Sequence, residues 1–293
     1  MTVRIEEWSV ENPQLIEGLC LHPTDPRKML EVMGPHMEAR KRWLHGMAGR
    51  GLRVAVATGA DGEKQGLVEY VPLEWAAEPV VGGGALFINY LWVLPRYWGA
   101  GVGRALLEYA VARASADGIA VLGYERDKWF GYFRYMPVAF FRRFGFTEVD
   151  RDGSRVLLYL KPAAAERRGS PLPSLMRPCA REGVKGEGGR HVVEILYSSQ
   201  CPWSGWMIDG AMRGLKRLGV EVCLVNTEER TTAATYGLTR GVCTDGRPLV
   251  RRLASGREVV RAVQGCLQGL TLGSFRITGA GARRDGRSTP SLD

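Results

Sequence analysis

The run Val93-Leu94-Pro95-Arg96-Tyr97-Trp98-Gly99-Ala100-Gly101-Val102-Gly103-Arg104-Ala105-Leu106-Leu107 constrains this chain more than any other segment. An apolar stretch, Ala85 to Val93, reads as a strand and delivers the chain to three glycines at alternate positions, after which an amphipathic helix begins. Glycine lacks a Cβ, so such a turn can fold tightly and bring several backbone N–H groups close to a ligand. The helix start adds unpaired N–H groups and a positive dipole end, a combination suited to a pyrophosphate. A dinucleotide site of the G-x-G-x-x-G kind needs a different spacing and an acidic residue about twenty positions on. Here the spacing is G-x-G-x-G, and Glu125, which ends the strand Ile119 to Tyr124, comes late. No Gly-Lys-Ser or Gly-Lys-Thr follows, as a Walker loop requires. The bland alternative is a helix start whose glycines serve packing alone.

The loop resembles the acetyl-coenzyme A loop of the GNAT superfamily of N-acetyltransferases, a Gln or Arg followed after two residues by Gly, one residue, and Gly or Ala. Trp98 stands at the Gln or Arg position, a departure, and Gly99, Ala100, Gly101, Val102 and Gly103 follow it. A second block, Ala139-Phe140-Phe141-Arg142-Arg143-Phe144-Gly145-Phe146-Thr147-Glu148-Val149, resembles the family's helix that ends in Gly-Phe before paired C-terminal strands. The resemblance covers about residues 1–162. It implies an α/β (α+β) acyl-CoA acyltransferase fold with a mixed central sheet, and acetyl-CoA as co-substrate.

Length and composition fit two domains. The 293 residues suffice for two cores, and 45% hydrophobic with 24% charged residues is ordinary for globular chains. No apolar run approaches a membrane span, and the start Met1–Glu7 is acidic and strand-like, unlike a secretory signal, so the expectation is a cytoplasmic protein without a membrane partner. The net charge is +9, but residues 163–190 and 273–293 supply +5 of it, and no aromatic-laced basic stripe appears. Nucleic acid is therefore not expected as a partner. Six cysteines (20, 179, 201, 223, 243, 266) and four histidines (22, 36, 45, 191) show no metal-ligand or disulfide spacing.

Periodicity places strands at Arg4–Val10, Leu52–Thr58, Gln65–Pro72, Ala85–Val93 and Ile119–Tyr124, with a hairpin over 147–161 turning at Asp152-Gly153. Helices are expected from Pro26 to Met47, interrupted at Gly34-Pro35, and over Gly101–Ala116 and Val138–Phe144. Residues 163–190 lose all period and read as a flexible linker. A second unit spans 191–272, and 273–293 reads as a disordered tail. In that unit Val192–Tyr197 is a strand, Cys201-Pro202-Trp203-Ser204 opens a helix reaching Leu218, and Val220–Val225 is the next strand. A short helix at Thr231–Tyr236, a hairpin turning at Asp245-Gly246 and a helix over 258–268 follow. A cysteine between first strand and first helix in this order resembles a small thioredoxin-like α/β domain. An acetyltransferase joined by a linker to such a module resembles the YoaP-like group, which the blocks Gly66–Pro72, Phe87–Val93 and Tyr135–Phe141 also fit.

Acetyl transfer to an amine must deprotonate the amine, polarise the thioester carbonyl and protonate the departing thiolate. The resemblance implies direct attack in a ternary complex, with a splayed strand over Asn89–Val93 turning backbone N–H groups of Leu91, Trp92 and Val93 toward the thioester oxygen. It further implies pyrophosphate contacts from Trp98 through Arg104, Arg104 being either a charge contact or a solvated helix residue. Glu69, in the apolar strand Leu67–Val71, is the candidate base or else a solvent-facing residue, and Glu125 is the second candidate. Family members carry a tyrosine four residues before the Gly of Gly-Phe; Phe141 stands there, leaving Tyr132 or Tyr135 as candidate acids, or no acid at all. Cys201 at a helix N-terminus is expected to have a lowered thiol pKa. Ser204 replaces a resolving cysteine, and 237–241 lacks the proline that faces such a cysteine in thioredoxin-like sites, which leaves monothiol exchange or a docking role. The expectation is an acetyl-CoA-dependent N-acetyltransferase for a small-molecule or peptide amine acceptor; a monothiol oxidoreductase and a non-catalytic acyl-CoA sensor are the alternatives. Neither the acceptor nor the oligomeric state is written in the sequence.

Overall fold

The computed structural model describes residues 3–21, 26–114, 117–126, 128–130, 134–161, 171–177 and 184–269. In chain order the first half forms β1 (Arg4–Glu7), α1 (Arg27–Ala48), β2 (Arg53–Thr58), β3 (Lys64–Pro72), β4 (Val80–Val81) and β5 (Leu86–Val93), then α2 (Val102–Val111), β6 (Ile119–Tyr124), α3 (Val138–Arg142), β7 (Thr147–Asp152), β8 (Arg155–Leu160) and β9 (Ser174–Leu175). Seven strands make one sheet in the order β1-β2-β3-β5-β6-β8-β7, antiparallel throughout except for β5 beside β6. The inner strands β2, β3 and β6 are buried on both faces, whereas the edge strands β1 and β7 are largely exposed or half-buried.

The parallel pair positions the site. β5 and β6 pair only at Leu86–Ile119, Phe87–Ala120 and Ile88–Val121, although β5 runs on to Val93 and β6 to Tyr124. On the other side of β5 the register with β3 shifts between Glu69 and Tyr70, where Tyr70 faces Ile88 and Glu69 faces Tyr90, leaving Asn89 as the extra residue. A bulge of this kind bends its strand and increases the local twist. β5 thus leaves β6 at the residue where it bulges, and Asn89–Val93 continue without a β6 partner.

The second half contains β10 (Val192–Tyr197), α4 (Trp203–Arg217), β11 (Glu221–Asn226), α5 (Arg230–Tyr236), β12 (Gly241–Thr244), β13 (Arg247–Val250) and α6 (Gly256–Leu267). Its sheet order is β11-β10-β12-β13, with β10 parallel to β11 and antiparallel to β12. Asp245 and Gly246 both have positive φ (51° and 81°), the conformation of a tight two-residue hairpin turn between β12 and β13. α6 starts with a capping box: Ser255 accepts from the Glu258 N–H, and the Glu258 carboxylate accepts from the Ser255 N–H at 2.8 Å.

Two sequence expectations change. α1 runs unbroken through Pro35. Proline removes one backbone donor and crowds the preceding turn, but the helix is pinned by Met33 before it and by Arg40, Leu44 and Met47 after it, all buried. Within the expected linker, residues 171–177 lie on the first domain: β9 pairs with β4, Met176 N–H donates to Pro79 at 2.8 Å, and Asp150 accepts from the Leu175 N–H and from Arg177. The expected tail, 273–293, lies outside the described residues. Among the described residues no helix is long and apolar enough to cross a membrane.

The two halves share one core. A single cluster of buried apolar side chains runs from Leu44, Leu67 and Leu106 in the first half to Val193, Cys201, Met207 and Val263 in the second.

Candidate active site

The glycine loop lies beyond the free end of β5. Gly99 and Gly101 have φ of 81° and 85°, a left-handed conformation glycine adopts without a steric cost. Gly101 is the N-cap residue of α2 and has open space where a Cβ would point. Gly103 instead packs near Phe140, whose ring would be 3.4 Å from an added Cβ. Trp98 donates its indole N–H to the Val93 carbonyl at 2.8 Å and is otherwise 55% exposed, so it covers the loop from outside. Ala100 and Val102 complete the turn and the first helical position. Arg104 projects into solvent and ion-pairs with Glu108 at 3.6 Å. On splayed β5 the Leu91 N–H donates to the thioether of Met136, at 3.3 Å, a weak acceptor.

Beside β5 opens a cavity of about 370 Å³. Tyr90 and Trp92 of β5, with Pro95 and Trp98, form one side; Trp129, Phe130 and Tyr135, from the segment between β6 and α3, form another. The second half of the chain closes it with Cys201 and Trp203. Trp129 and Tyr135 stack at 3.7 Å between ring centroids. Both are buried, and the Trp129 indole N–H and the Tyr135 hydroxyl find no hydrogen-bond partner. Burial pushes the Tyr135 phenol well above its ordinary range, so it keeps its proton.

Tyr135 and Cys201, expected as site residues, therefore meet in this cavity. The two carboxylates do not reach it in the expected role. Glu69 is fully buried, ruling out the solvent-facing reading; one carboxylate oxygen accepts from Arg40 and the other from the Gln200 side-chain amide at 3.1 Å. With both oxygens engaged it is built to hold Arg40 and Gln200 rather than to take a substrate proton. Glu125 sits among Arg142, Arg151 and Glu148, and the hydrogen bond from Arg151 holds its carboxyl below the usual range, the wrong direction for an amine's base. The Cys201 expectation reverses too: burial pushes its thiol up, outweighing the Arg240 charge beside it. Helix-end stabilisation of a thiolate needs solvation as well, and this thiol is 3% exposed, so desolvation outweighs the charges near it. Tyr132 lies outside the described residues.

Sequence reading missed the polar layer beneath the cavity. Arg40 donates to Glu69 and to the Gln200 carbonyl; Arg240 donates to the Gln200 side-chain oxygen at 2.6 Å and to Glu78. Thr239 adds bonds to the Ala77 carbonyl and to Glu78, and Arg155 reaches the Gly237 carbonyl at 2.8 Å. Every one of these residues is buried or flanks a buried strand end, and the layer joins the two domains. No local signal marked them: Gln200 follows Ser198-Ser199 and Arg240 follows Thr239, so both sit in polar loop segments of the second half.

Residues 51–148 match the model of the acetyltransferase (GNAT) domain. Over those residues the chain thus carries a GNAT acetyltransferase domain, the mark of an acetyl-transferring enzyme. Beyond that domain it is similar to the uncharacterized N-acetyltransferase YoaP of Bacillus subtilis, 26% identical over 221 residues that cover 74% of this chain and 83% of the relative. Among solved structures, a histone acetyltransferase HPA2-related acetyltransferase from Corynebacterium glutamicum is 16% identical over 56% of this chain and 98% of its own, with a TM-score of 0.40. The Escherichia coli GNAT family N-acetyltransferase YhbS, solved in complex with CoA, is 17% identical over 59% and 88%, with a TM-score of 0.37.

Proposed function

We propose that the protein transfers the acetyl group of acetyl-CoA to an amine acceptor by direct attack in a ternary complex, with the pyrophosphate held by the Gly99–Gly103 loop and the reaction centre in the cavity beside β5. The observation that carries this reading is the departure of β5 from β6 after Ile88, directly upstream of a left-handed glycine turn at the start of α2. Free backbone N–H groups at the turn favour phosphate. Backbone donors for the thioester oxygen as it becomes negative are assigned to Leu91–Val93, where the Leu91 N–H has a weak thioether acceptor to give up. Tyr135 fits the role of proton donor to the departing thiolate: the residue lines the cavity, and its buried hydroxyl is protonated and unpartnered. Cys201 fits a wall residue and not an acyl carrier or a redox thiol, because a buried protonated thiol is a poor nucleophile.

The second domain reads as a thioredoxin-like module. Its strand order β11-β10-β12-β13, with the third strand in sequence antiparallel to its neighbours, supports that reading, as does a helix opening after the cysteine. In this chain its task is to roof the cavity. Steady-state kinetics with varied acetyl-CoA and acceptor test the whole proposal: intersecting lines and calorimetric binding of acetyl-CoA are expected. Parallel lines, or burst release of CoA without acceptor that Cys201→Ser abolishes, would replace it with an acyl-enzyme route.

A further inference from the structure

Five of the cavity's ring-bearing walls face a space with no charged lining group among the described residues. Tyr90 and Trp92 come from β5, Trp129 and Tyr135 from the segment before α3, and Trp203 from the second domain. Such a lining accepts a planar aromatic body, through stacking and burial of apolar area. The question is what amine that body carries.

Three observations bear on its charge. The carboxylates closest in the fold, Glu69 and Glu78, are committed to Arg40 and Arg240, so neither is left to pair with an ammonium. The Arg40 guanidinium lies 5.7 Å from the Tyr90 ring centroid and that of Arg240 lies 5.8 Å from the Trp129 centroid, so two rings that could attract a cation already hold one. Finally, the Trp129 indole N–H is buried, unpartnered and can only donate. Its partner must bring a lone pair, which an ammonium lacks and a neutral amine or an ether oxygen has. A buried donor left unpaired destabilises the empty site, and a ligand that brings the missing lone pair removes that cost.

We infer that the acceptor is an uncharged aromatic amine, with its ring between the aromatic walls and its acceptor atoms on the Trp129 indole N–H and the Tyr135 hydroxyl. This rests on the acetyltransferase reading for the reaction but not for binding. An amine attached directly to an aromatic ring is already neutral near pH 7, so attack on the thioester carbonyl can precede proton loss. The nitrogen forms the new C–N bond, the C–S bond breaks, the Tyr135 hydroxyl gives its proton to the leaving thiolate, and the proton shed by nitrogen returns to the phenolate. No carboxylate base is needed, which agrees with the committed state of Glu69 and Glu125.

A matched pair of probes tests this on the full chain: 4-methoxyaniline, neutral at pH 7, and 4-methoxybenzylamine, cationic at pH 7 with the same ring and ether. Calorimetric titration should show the aniline binding at least about tenfold tighter at pH 7. Between pH 7 and 9 the benzylamine should gain up to about tenfold per unit while the aniline stays level. Trp129→Phe should weaken the aniline about tenfold, and the comparison of the two probes on the unaltered protein stands even if that variant misfolds. Equal or tighter binding of the benzylamine at pH 7 overturns the inference. So does displacement of 4-methoxyaniline by 4-methoxybenzoyl-CoA together with preference for that donor over acetyl-CoA, which would give the cavity to the acyl group. Aniline binding without acetyl transfer to any amine would remove the proposed reaction and leave the binding inference; brisk transfer to cyclohexylamine with the aniline ignored would do the reverse.

Discussion

Gly101 shows how far a single position carries the cofactor argument. Its φ of 85° and ψ of −4° lie in the left-handed region, where a Cβ is disfavoured by about 1–2 kcal/mol. No atom lies within 4 Å of an added Cβ, so the effect of substitution is conformational rather than steric. Gly101→Val should therefore weaken acetyl-CoA by about tenfold or more in calorimetry while the far-UV circular dichroism stays unchanged; equal affinity would remove the loop from the phosphate site. A second residue-scale expectation concerns pH. Burial pushes the Cys20 thiol up to about 11 from an ordinary 9.0 and raises Cys201, Tyr90 and Tyr135 in the same direction. An acid whose folded pKa is raised stabilises the fold fully below its unfolded value and loses that contribution as pH climbs toward the folded one. The melting temperature should hold up to about pH 9 and fall steeply toward pH 11. A flat profile across that window would contradict the burial of these groups. The glycines were legible because a left-handed turn leaves a composition mark. The state of Cys201 was not, because a thiol's pKa depends on what long-range packing brings over it.

At the scale of elements, short-range pattern and long-range pairing separate cleanly. β6 and β10 have the bounds the sequence proposed, since buried strands read as apolar runs. The bulge at Asn89 left no such mark: it is a property of β3 and β5 together, and only their register exposes it. β4 and β9, two residues each, are too short to show a period, and β9 lay inside a stretch that looked like linker. Helix pairing in the second domain gives a sharp test. α4 and α6 approach so closely at Gly210 and Gly256 that a Cβ on Gly256 would lie 2.0 Å from the Gly210 carbonyl carbon, a backbone atom that cannot swing aside. Gly256→Ala should lower the unfolding free energy by about 1–3 kcal/mol, the usual range for overpacking, read from the midpoint of urea denaturation at constant slope. An unshifted midpoint would mean the helices sit farther apart than described.

For the whole molecule, the decisive feature is that the second half of the chain lines the same cavity as the first. The contact between the halves was not legible in the sequence, because the residues that make it, Arg40, Glu69, Glu78, Gln200 and Arg240, are scattered over two hundred positions and nothing local marks them as partners. In place they are buried, and each oxygen or guanidinium on one side finds its partner across the junction or against a neighbour that crosses it. Buried ion pairs seldom add stability over a well-packed apolar pair, but removing one partner strands a charge, at about 3–5 kcal/mol. Arg40→Met leaves Glu69 facing only Gln200 and should cost that amount; Arg40→Met with Glu69→Leu should recover most of it, a coupling that a double-mutant cycle reads directly. Because Arg40 also holds the Gln200 carbonyl, next to Cys201, the single variant should loosen the roof before the sheet. Alkylation of Cys201 by iodoacetamide should then accelerate at least about tenfold at a temperature where the far-UV signal is still native. Should Cys201 stay protected until global unfolding, the layer would be a stabilising core and not a hinge line, and the two domains would have to be treated as one folding unit at the site as they already are in their shared apolar cluster.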